Sequence, residues 1–337
     1  MIVHLKKGIT KKEYDEINEY LLNQDIKVQD ISDEKDSKLL LSGSFDRSLL
    51  ERIYSFDAVL DAKKIRTPYQ KVLKINNEKK SIKLPYNNEI NENNFIIIAG
   101  PCSIESKESL TKIAIEVKKA GANFLRGGAF KLRTSPYSFQ GLQEEGLKIL
   151  HEVGKKLELV TVSEITSISQ IDLFIKYVDI IQVGARNMYN YELLKELAKV
   201  NKPILLKRAF SATIEELLLS AEYLAEHGNT DIILCERGIR TFNEDIRNTL
   251  DLGGVIRLKE LTFLPVIVDP SHASGRYEMV PKLSKASLAA GADGLMIEVH
   301  DDPLNALSDG AQSLKINKFH KLMDDLKKAS SIFDKKI

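Results

Sequence analysis

The chain lacks the features that mark a secreted, membrane-bound or nucleic-acid-binding protein. Its 337 residues include only two cysteines, Cys102 and Cys235, whose wide spacing predicts no disulfide framework. The 49 lysine and arginine residues nearly balance the 48 aspartate and glutamate residues, so the net charge of +1 argues against a general binder of nucleic acid or membrane surfaces. No apolar run has the length of a signal peptide core or a membrane span, and we therefore expect a cytoplasmic protein.

Residues 1–65 predict a small ferredoxin-like domain. Thr10 followed three residues later by Glu13 is a capping box that starts a helix. Around it, alternating apolar residues and turn residues predict four strands and a second helix in the order βαββαβ, which is the ferredoxin-like arrangement. This domain has no evident catalytic cluster, so we expect a regulatory or structural role. Residues 66–94 carry two prolines and an Asn/Glu-rich stretch, and they predict a linker with room for a short hairpin.

Residues 95–337 predict a (β/α)₈ barrel. Eight short apolar runs, from FIIIAG at 95 to DGLMIEVH at 293, alternate with helical stretches. Eight strand–helix units in a segment of this length are typical of that barrel. A doubly wound open sheet is the alternative, but no GxGxxG turn follows the first strand. We therefore predict an N-terminal ferredoxin-like domain, a linker and a C-terminal catalytic barrel.

Polar or reactive side chains occur at one end of all eight predicted strands. In a barrel of this type the active site lies at the carboxyl ends of the strands, and packing of the core does not require polar residues there. The eight residues, in chain order, are Cys102, Arg126, Glu164, Arg186, Lys207, Arg237, His272 and Glu298.

One part of this set predicts a metal site. Strands seven, eight and one are neighbours because the barrel closes, so Cys102, His272 and Glu298 come together, and Asp309 follows in the loop after strand eight. A thiolate, an imidazole and two carboxylates form a plausible site for one divalent ion per subunit. Manganese is the first expectation, with iron, zinc and cobalt also compatible. Each residue also has an ordinary structural interpretation: a small buried cysteine, a hydrogen-bonded histidine or an acid at a helix N-terminus.

The other part of the set is basic. The stretch at 126–141, RGGAFKLRTSPYSFQG, has three cations and no acidic residue, and its paired glycines allow a close approach to a ligand. The planar guanidinium group of arginine binds phosphate and carboxylate groups through two N–H donors. These basic residues at the carboxyl ends of the strands therefore predict a site for a small phosphorylated acid. The alternatives are a solvated basic loop and internal ion pairs with Glu164, Glu236 and Asp269. The cations concerned are Arg126, Lys131, Arg186, Lys207 and Arg237.

The combined motifs resemble a known enzyme family. AGPCS at 99, RGGAFKLRTSPYSFQG at 126, VGARN at 183, CERGIRTF at 235, DPSHASG at 269 and ALSDGAQSL at 306 are similar to those of 3-deoxy-D-arabino-heptulosonate 7-phosphate (DAHP) synthases. The match is to the short type with an N-terminal ferredoxin-like regulatory domain. The resemblance implies condensation of phosphoenolpyruvate with D-erythrose 4-phosphate, the first step of the shikimate route to aromatic amino acids. It also implies a homotetramer and an aromatic amino acid effector at the N-terminal domain.

The resemblance also implies roles for individual residues. The implied metal ligands are Cys102, His272, Glu298 and Asp309. The implied phosphoenolpyruvate-binding residues are Arg126, Lys131, Arg186, Lys207 and Arg237. Arg133, Thr134 and Ser135 match the loop that takes the phosphate of the sugar, and Lys131, between the two anion sites, is a candidate for proton transfer. Leu132 stands where the family usually has proline.

Three other functions are compatible with parts of the pattern. A 3-deoxy-D-manno-octulosonate 8-phosphate synthase, which uses arabinose 5-phosphate, shares the barrel and the cations but typically has a K-A-N-R-S-S loop where this chain has KLRTS at 131. A Schiff-base aldolase would use Lys207 as its nucleophile. A sensor of phosphorylated ligands would keep the cations but would not need the four predicted metal ligands.

Overall fold

The computed structural model describes residues 1–32, 36–43, 45–63, 67–74, 80–132 and 135–337. The chain divides into two compact units, Met1–Gln70 with Lys74–Glu78 and Lys71–Leu73 with Lys79–Ile337. None of the described helices is long and apolar enough to cross a membrane.

The first unit is the predicted ferredoxin-like domain. Its elements are β1 (Ile2–Leu5), α1 (Lys11–Leu22), β2 (Lys27–Asp30), β3 (Ser37–Ser42), α2 (Arg47–Tyr54) and β4 (Val59–Lys63). The four strands form one antiparallel sheet in the order β2-β3-β1-β4. The predicted capping box is present, because the Thr10 hydroxyl accepts from the Glu13 N–H and the Glu13 carboxylate accepts from the Thr10 N–H at 2.7 Å. The predicted βαββαβ order is confirmed.

The second unit begins with a small hairpin that closes the bottom of the barrel. Strands β5 (Ile82–Lys83) and β6 (Glu89–Ile90) pair antiparallel within the predicted linker. Ile82 and Ile90 are fully buried in the cluster that holds the first residues of several barrel strands. Because those residues mark the amino ends of the strands, the hairpin covers the end opposite the predicted active site.

Eight parallel strands then form the predicted closed barrel. They are β7 (Ile96–Gly100), β8 (Phe124–Arg126), β9 (Val160–Ile165), β10 (Ile180–Val183), β11 (Ile204–Lys207), β12 (Ile232–Glu236), β13 (Val266–Val268) and β14 (Gly294–His300). Each strand pairs with the next, and β14 pairs with β7, for example Met296 with Ile98, so the sheet has no free edge. The strands are buried apolar runs, as expected of parallel strands covered by helices.

Helices cover the barrel and connect its strands. They are α3 (Lys107–Ala120), α4 (Gln143–Lys156), α5 (Ile171–Tyr177), α6 (Tyr191–Ala198), α7 (Ile214–Glu226), α8 (Leu252–Leu261), α9 (Pro270–Ser274), α10 (Val280–Ala289) and α11 (Ile316–Ser330). A short strand, β15 (Leu314–Lys315), pairs with the end of β14. The loops that leave the carboxyl ends of the strands hold the side chains discussed next.

A buried aspartate joins several elements at the amino end of β14. The Asp293 carboxylate is almost fully buried and accepts from the Lys259 ammonium group at 2.5 Å and from the Val266 N–H at 2.8 Å. The Lys335 ammonium group donates to its other oxygen at 3.2 Å. This carboxylate therefore ties β14 to β13, to α8 and to the C-terminal segment.

We predict that Asp293→Ala destabilises the barrel by about 3 kcal/mol, because it removes a buried partner of two ammonium groups and one backbone N–H. Urea unfolding followed by circular dichroism measures the change. The matched control is Asp325→Ala, which breaks the exposed ion pair with Lys285 and should cost about 0.5 kcal/mol or less. Equal costs for the two variants would contradict the proposed role of Asp293.

Candidate active site

A cavity of about 340 Å³ lies at the carboxyl ends of the barrel strands. Among its described lining residues, five are cations and two, Glu164 and Asp309, are carboxylates. The cations are Lys131, Arg186, Lys207, Arg237 and Arg247. The balance of charge therefore favours an anionic ligand, in agreement with the basic mouth predicted from the sequence.

Cys102 lies in a polar cluster beside this cavity. Its sulfur accepts from the Lys131 ammonium group at 3.0 Å, lies 3.0 Å from the Ser308 hydroxyl, and donates to the Asp309 carboxylate at 3.3 Å. Burial raises the pKa of the Cys102 thiol to about 12, and the charge of Glu298 adds to the rise. The thiol is therefore protonated at neutral pH until a cation takes the place of its proton.

Glu298 is held rigidly near the end of β14. One carboxylate oxygen accepts from the Arg126 guanidinium at 2.9 Å, and the other accepts from the Gln312 side-chain amide at 2.7 Å. Burial opposes ionisation, but positive charge nearby, including that of Arg126, holds the pKa of Glu298 below its ordinary value. The candidate ligand atoms of Cys102, Glu298 and Asp309 all lie within 4.8 Å of one another.

His272 adjoins this trio through Glu298. Its Nδ1 lies 2.7 Å from the Asp269 carboxylate, and its Nε2 lies 3.4 Å from Oε1 of Glu298. Burial lowers the pKa of His272, which favours the neutral imidazole. A neutral ring that donates from Nδ1 to Asp269 has a lone pair on Nε2, as in the carboxylate–histidine pairs that orient metal ligands.

The four predicted metal ligands fit a divalent cation. When Nδ1 of His272 donates to Asp269, the lone pair on Nε2 is directed toward the Glu298 carboxylate 3.4 Å away, and a cation held by both groups would stabilise this arrangement. Sulfur, nitrogen and carboxylate oxygen donors together suit manganese, iron, zinc or cobalt rather than calcium or magnesium. Asp309 has a backbone φ of 52°, and its side chain makes no helix-capping hydrogen bond, so it is not an ordinary helix-capping acid.

The predicted anion-binding cations differ in their internal partners. Lys207 donates to Asp269 at 2.5 Å, and Arg126 donates to Glu298. Internal ion pairing, the alternative considered above, therefore holds for these two cations. Glu236, another expected partner, instead pairs with Arg208 at 2.8 Å.

Two of the predicted cations lack such partners. In the part of the chain that the structure describes, Arg186 and Arg237 make no ion pair with a carboxylate, and both line the cavity. Nη1 of Arg237 is buried and has no hydrogen-bond partner among these residues. Glu164, which was a possible partner, instead accepts from the Gln182 amide at 3.1 Å.

The glycine-bearing loop after β8 brings Lys131 to the thiol. A Cβ atom on Gly128 would lie 2.7 Å from the Cys102 carbonyl oxygen and 2.8 Å from the Lys131 nitrogen, so only glycine allows this approach. Leu132 and Ser135 are exposed and line the cavity. Arg133 and Thr134, which the sequence analysis assigned to the sugar phosphate, lie outside the described residues.

Two residues of the site were not predicted from the sequence. The Arg247 guanidinium donates to Oε1 of the Gln312 side-chain amide at 2.8 Å and lies 3.8 Å from the Asp309 carboxylate. Gln312 in turn donates to Glu298, so a chain of polar contacts runs from the cavity to a predicted metal ligand. Gln312 belongs to the ALSDGAQSL motif, which was a usable signal. Nothing in the sequence around Arg247 indicates its position.

Comparisons with known proteins identify the family of the chain. The model of the DAHP synthetase I family matches residues 79–334. The chain is 41% identical to the phospho-2-dehydro-3-deoxyheptonate aldolase of Thermotoga maritima over the full length of both proteins. The crystal structure of phospho-2-dehydro-3-deoxyheptonate aldolase (DAHP synthase) from Thermotoga maritima aligns with a TM-score of 0.79 over 99% of this chain and 98% of that chain.

Two further relatives match a smaller share of the chain. A truncated form of 3-deoxy-D-arabino-heptulosonate 7-phosphate synthase from Thermotoga maritima aligns with a TM-score of 0.72 and 45% identity, over 77% of this chain and 95% of that chain. The 2-dehydro-3-deoxyphosphooctonate aldolase of Pisum sativum is 31% identical over 69% of this chain and 87% of its own length. The matches in sequence and in structure converge, and the chain belongs to the DAHP synthetase I family.

Proposed function

We propose that this chain is a metal-dependent DAHP synthase that condenses phosphoenolpyruvate with D-erythrose 4-phosphate and releases inorganic phosphate. The observation that carries the proposal is that a candidate metal site and a cationic cavity lie side by side at the carboxyl ends of the barrel strands. The sulfur and carboxylate donors of Cys102, Glu298 and Asp309 adjoin the imidazole of His272. The cavity beside them is lined by Arg186 and Arg237, which form no ion pair among the described residues. The full-length similarity to the enzyme of Thermotoga maritima supports this reaction over others on the same fold.

Cys102, His272, Glu298 and Asp309 would hold the metal ion. A divalent ion held there would supply a Lewis acid for the carbonyl oxygen of the aldehyde of the sugar phosphate. Around it, the Asp269 carboxylate fixes the orientation of the His272 ring, and Gln312 and Arg126 fix that of Glu298. Such supporting contacts keep ligands in place before the ion binds.

The cations would hold phosphoenolpyruvate. Its carboxylate and phosphate groups offer planar and tetrahedral sets of oxygens, which guanidinium forks bind with two parallel hydrogen bonds. Arg186 and Arg237 bring charge that no described carboxylate neutralises, so a bound polyanion would offset it. Arg126 and Lys207 are also assigned to this ligand, although each already has a carboxylate partner.

The reaction then needs few groups on the protein. Carbon three of phosphoenolpyruvate attacks the aldehyde carbon, water adds at carbon two, and the resulting hemiketal phosphate collapses with loss of phosphate. Lys131 lies beside Cys102 and lines the cavity, so its ammonium group is placed to transfer a proton. Arg133, Thr134 and Ser135 would bind the phosphate of the sugar and hold the aldehyde in line.

The N-terminal unit and the assembly belong to the same proposal. We expect the ferredoxin-like unit to mediate feedback control by an aromatic amino acid, and the chain to form a homotetramer in the cytoplasm. Both expectations follow from the family rather than from a contact on this chain. The reaction would open the shikimate route to the aromatic amino acids.

The proposed reaction predicts phosphate release from phosphoenolpyruvate when erythrose 4-phosphate is supplied. Release should stop after chelation and return with manganese, because the ligand set would be empty in between. A colorimetric phosphate assay measures the rate. Arabinose 5-phosphate is the comparison substrate, since octulosonate enzymes are the other relatives. Release with arabinose 5-phosphate alone would assign the chain to that reaction, and no release with either sugar in metal-replete protein would rule out both.

We further predict that Gln312→Met weakens manganese binding by about tenfold or more, because Glu298 loses the amide that orients one of its oxygens. Calorimetric titration of metal-free protein measures the affinity independently of turnover. Gln24→Met, at an exposed position of the first unit, is the matched control and should bind manganese like the unchanged protein. Equal affinities for the two variants would show that Gln312 does not support the site.

A further inference from the structure

Three arginines share one aromatic ring at the edge of the cavity. The guanidinium carbons of Arg237, Arg240 and Arg186 lie 4.8, 5.1 and 5.6 Å from the centroid of the Phe210 ring. All three distances are within the range of cation–π attraction, which is about 6 Å. Arg186, Arg237 and Phe210 line the cavity, whereas Arg240 is not among its lining residues.

These three arginines differ in their partners from Arg126 and Arg208, two buried arginines of the barrel; of the three, Arg237 is buried, whereas Arg186 and Arg240 are exposed. Arg126 and Arg208 donate to buried carboxylates, at 2.9 and 2.8 Å. Over the described ranges of the chain, none of the three arginines on Phe210 forms an ion pair. Like charges this close repel one another, and the negative face of an aromatic ring is one of the few groups that reduces the repulsion without occupying the guanidinium N–H donors.

The backbone segment that carries the ring is fixed from two sides. The N–H of Ala209, the preceding residue, donates to the sulfur of Met188 at 3.2 Å, and Met188 ends the turn that carries Arg186. On the other side, the Arg240 N–H donates to the Phe210 carbonyl oxygen at 2.7 Å. The same short segment is therefore connected to the turn of Arg186 and to the loop of Arg240.

We propose that Phe210 is a positioning residue for the anion site. Its ring holds the guanidinium planes of Arg186 and Arg237 so that their N–H edges remain available to one phosphate group in the cavity. Arg240, on the same ring, adds a third positive charge to the local field. The identity of the phosphate group as that of phosphoenolpyruvate rests on the proposed function, but the role of the ring requires only a phosphate monoester or inorganic phosphate.

The test compares Phe210→Leu, which removes the ring but keeps an apolar side chain, with Phe210→Tyr, which keeps the ring. Calorimetric titration with inorganic phosphate and with phosphoenolpyruvate measures affinity in the full-length protein. We expect Phe210→Leu to weaken binding of both ligands by about tenfold, and Phe210→Tyr to stay within about twofold of the unchanged protein. In turnover, Phe210→Leu should raise the KM for phosphoenolpyruvate with little change in the KM for erythrose 4-phosphate.

Controls separate this role from folding. Phe242→Leu removes a fully exposed phenylalanine from the loop after β12 and should leave phosphate binding unchanged. Thermal unfolding is recorded for each variant, and Phe210→Met serves as a second ringless variant if Phe210→Leu does not fold. Unchanged phosphate affinity in a folded ringless variant would overturn the proposal. So would an equal loss of affinity in Phe210→Tyr, because packing rather than the ring would then explain the effect.

The same measurements separate this inference from the proposed reaction. If no sugar phosphate supports turnover but phosphate affinity depends on the ring, the role of Phe210 stands and the proposed reaction fails. If turnover is normal and the ringless variants bind phosphate like the unchanged protein, the reaction stands and the role of Phe210 fails.

Discussion

The site depends on the pairing of two buried carboxylates at the ends of adjacent strands. Asp269 and Glu298 have no solvent exposure, and an unpaired charge at such depth would cost several kcal/mol. Asp269 is neutralised by Lys207 and orients His272, while Glu298 is neutralised by Arg126. Because these contacts use Lys207 and Arg126, the cations left without a carboxylate partner among the described residues include Arg186 and Arg237. The same contacts also hold the predicted metal ligands in position while the cavity beside them stays open.

The pairing divides the cations of the mouth into two groups. Lys207 and Arg126 balance the buried acids, whereas Arg186 and Arg237 have no carboxylate partner among the described residues. In our proposal, the second group binds the anion. The ring of Phe210 lies 5.6 and 4.8 Å from the guanidinium carbons of Arg186 and Arg237, and we propose that it positions them. The proposed metal site and the proposed anion site thus share one arrangement of charged side chains.

The sequence predicted the strands and helices of the barrel better than the side-chain contacts between them. Apolar runs and the capping box at Thr10 located the strands and α1, since these signals are local. The start of α4 at Gln143 was not predictable in the same way, because it follows from positive φ angles of 93° at Gly141 and 54° at Gln143. The contacts of Gln312 with Glu298 and of Phe210 with the arginines join distant segments. The ALSDGAQSL motif includes Gln312, but no local pattern marks Phe210. The barrel topology alone identified the residues at the strand ends.

The most direct test of the account is whether Cys102 supplies a sulfur ligand to a metal ion. Cobalt is titrated into metal-free protein while the near-ultraviolet absorption of a thiolate–cobalt bond is recorded. If Cys102 is a metal ligand, we expect the band to saturate at one cobalt per chain. Because the chain has only two cysteines, the band should be lost in Cys102→Ser and persist in Cys235→Ser. A band that persists in Cys102→Ser, or no cobalt binding by the folded protein, would contradict the assignment of the metal site.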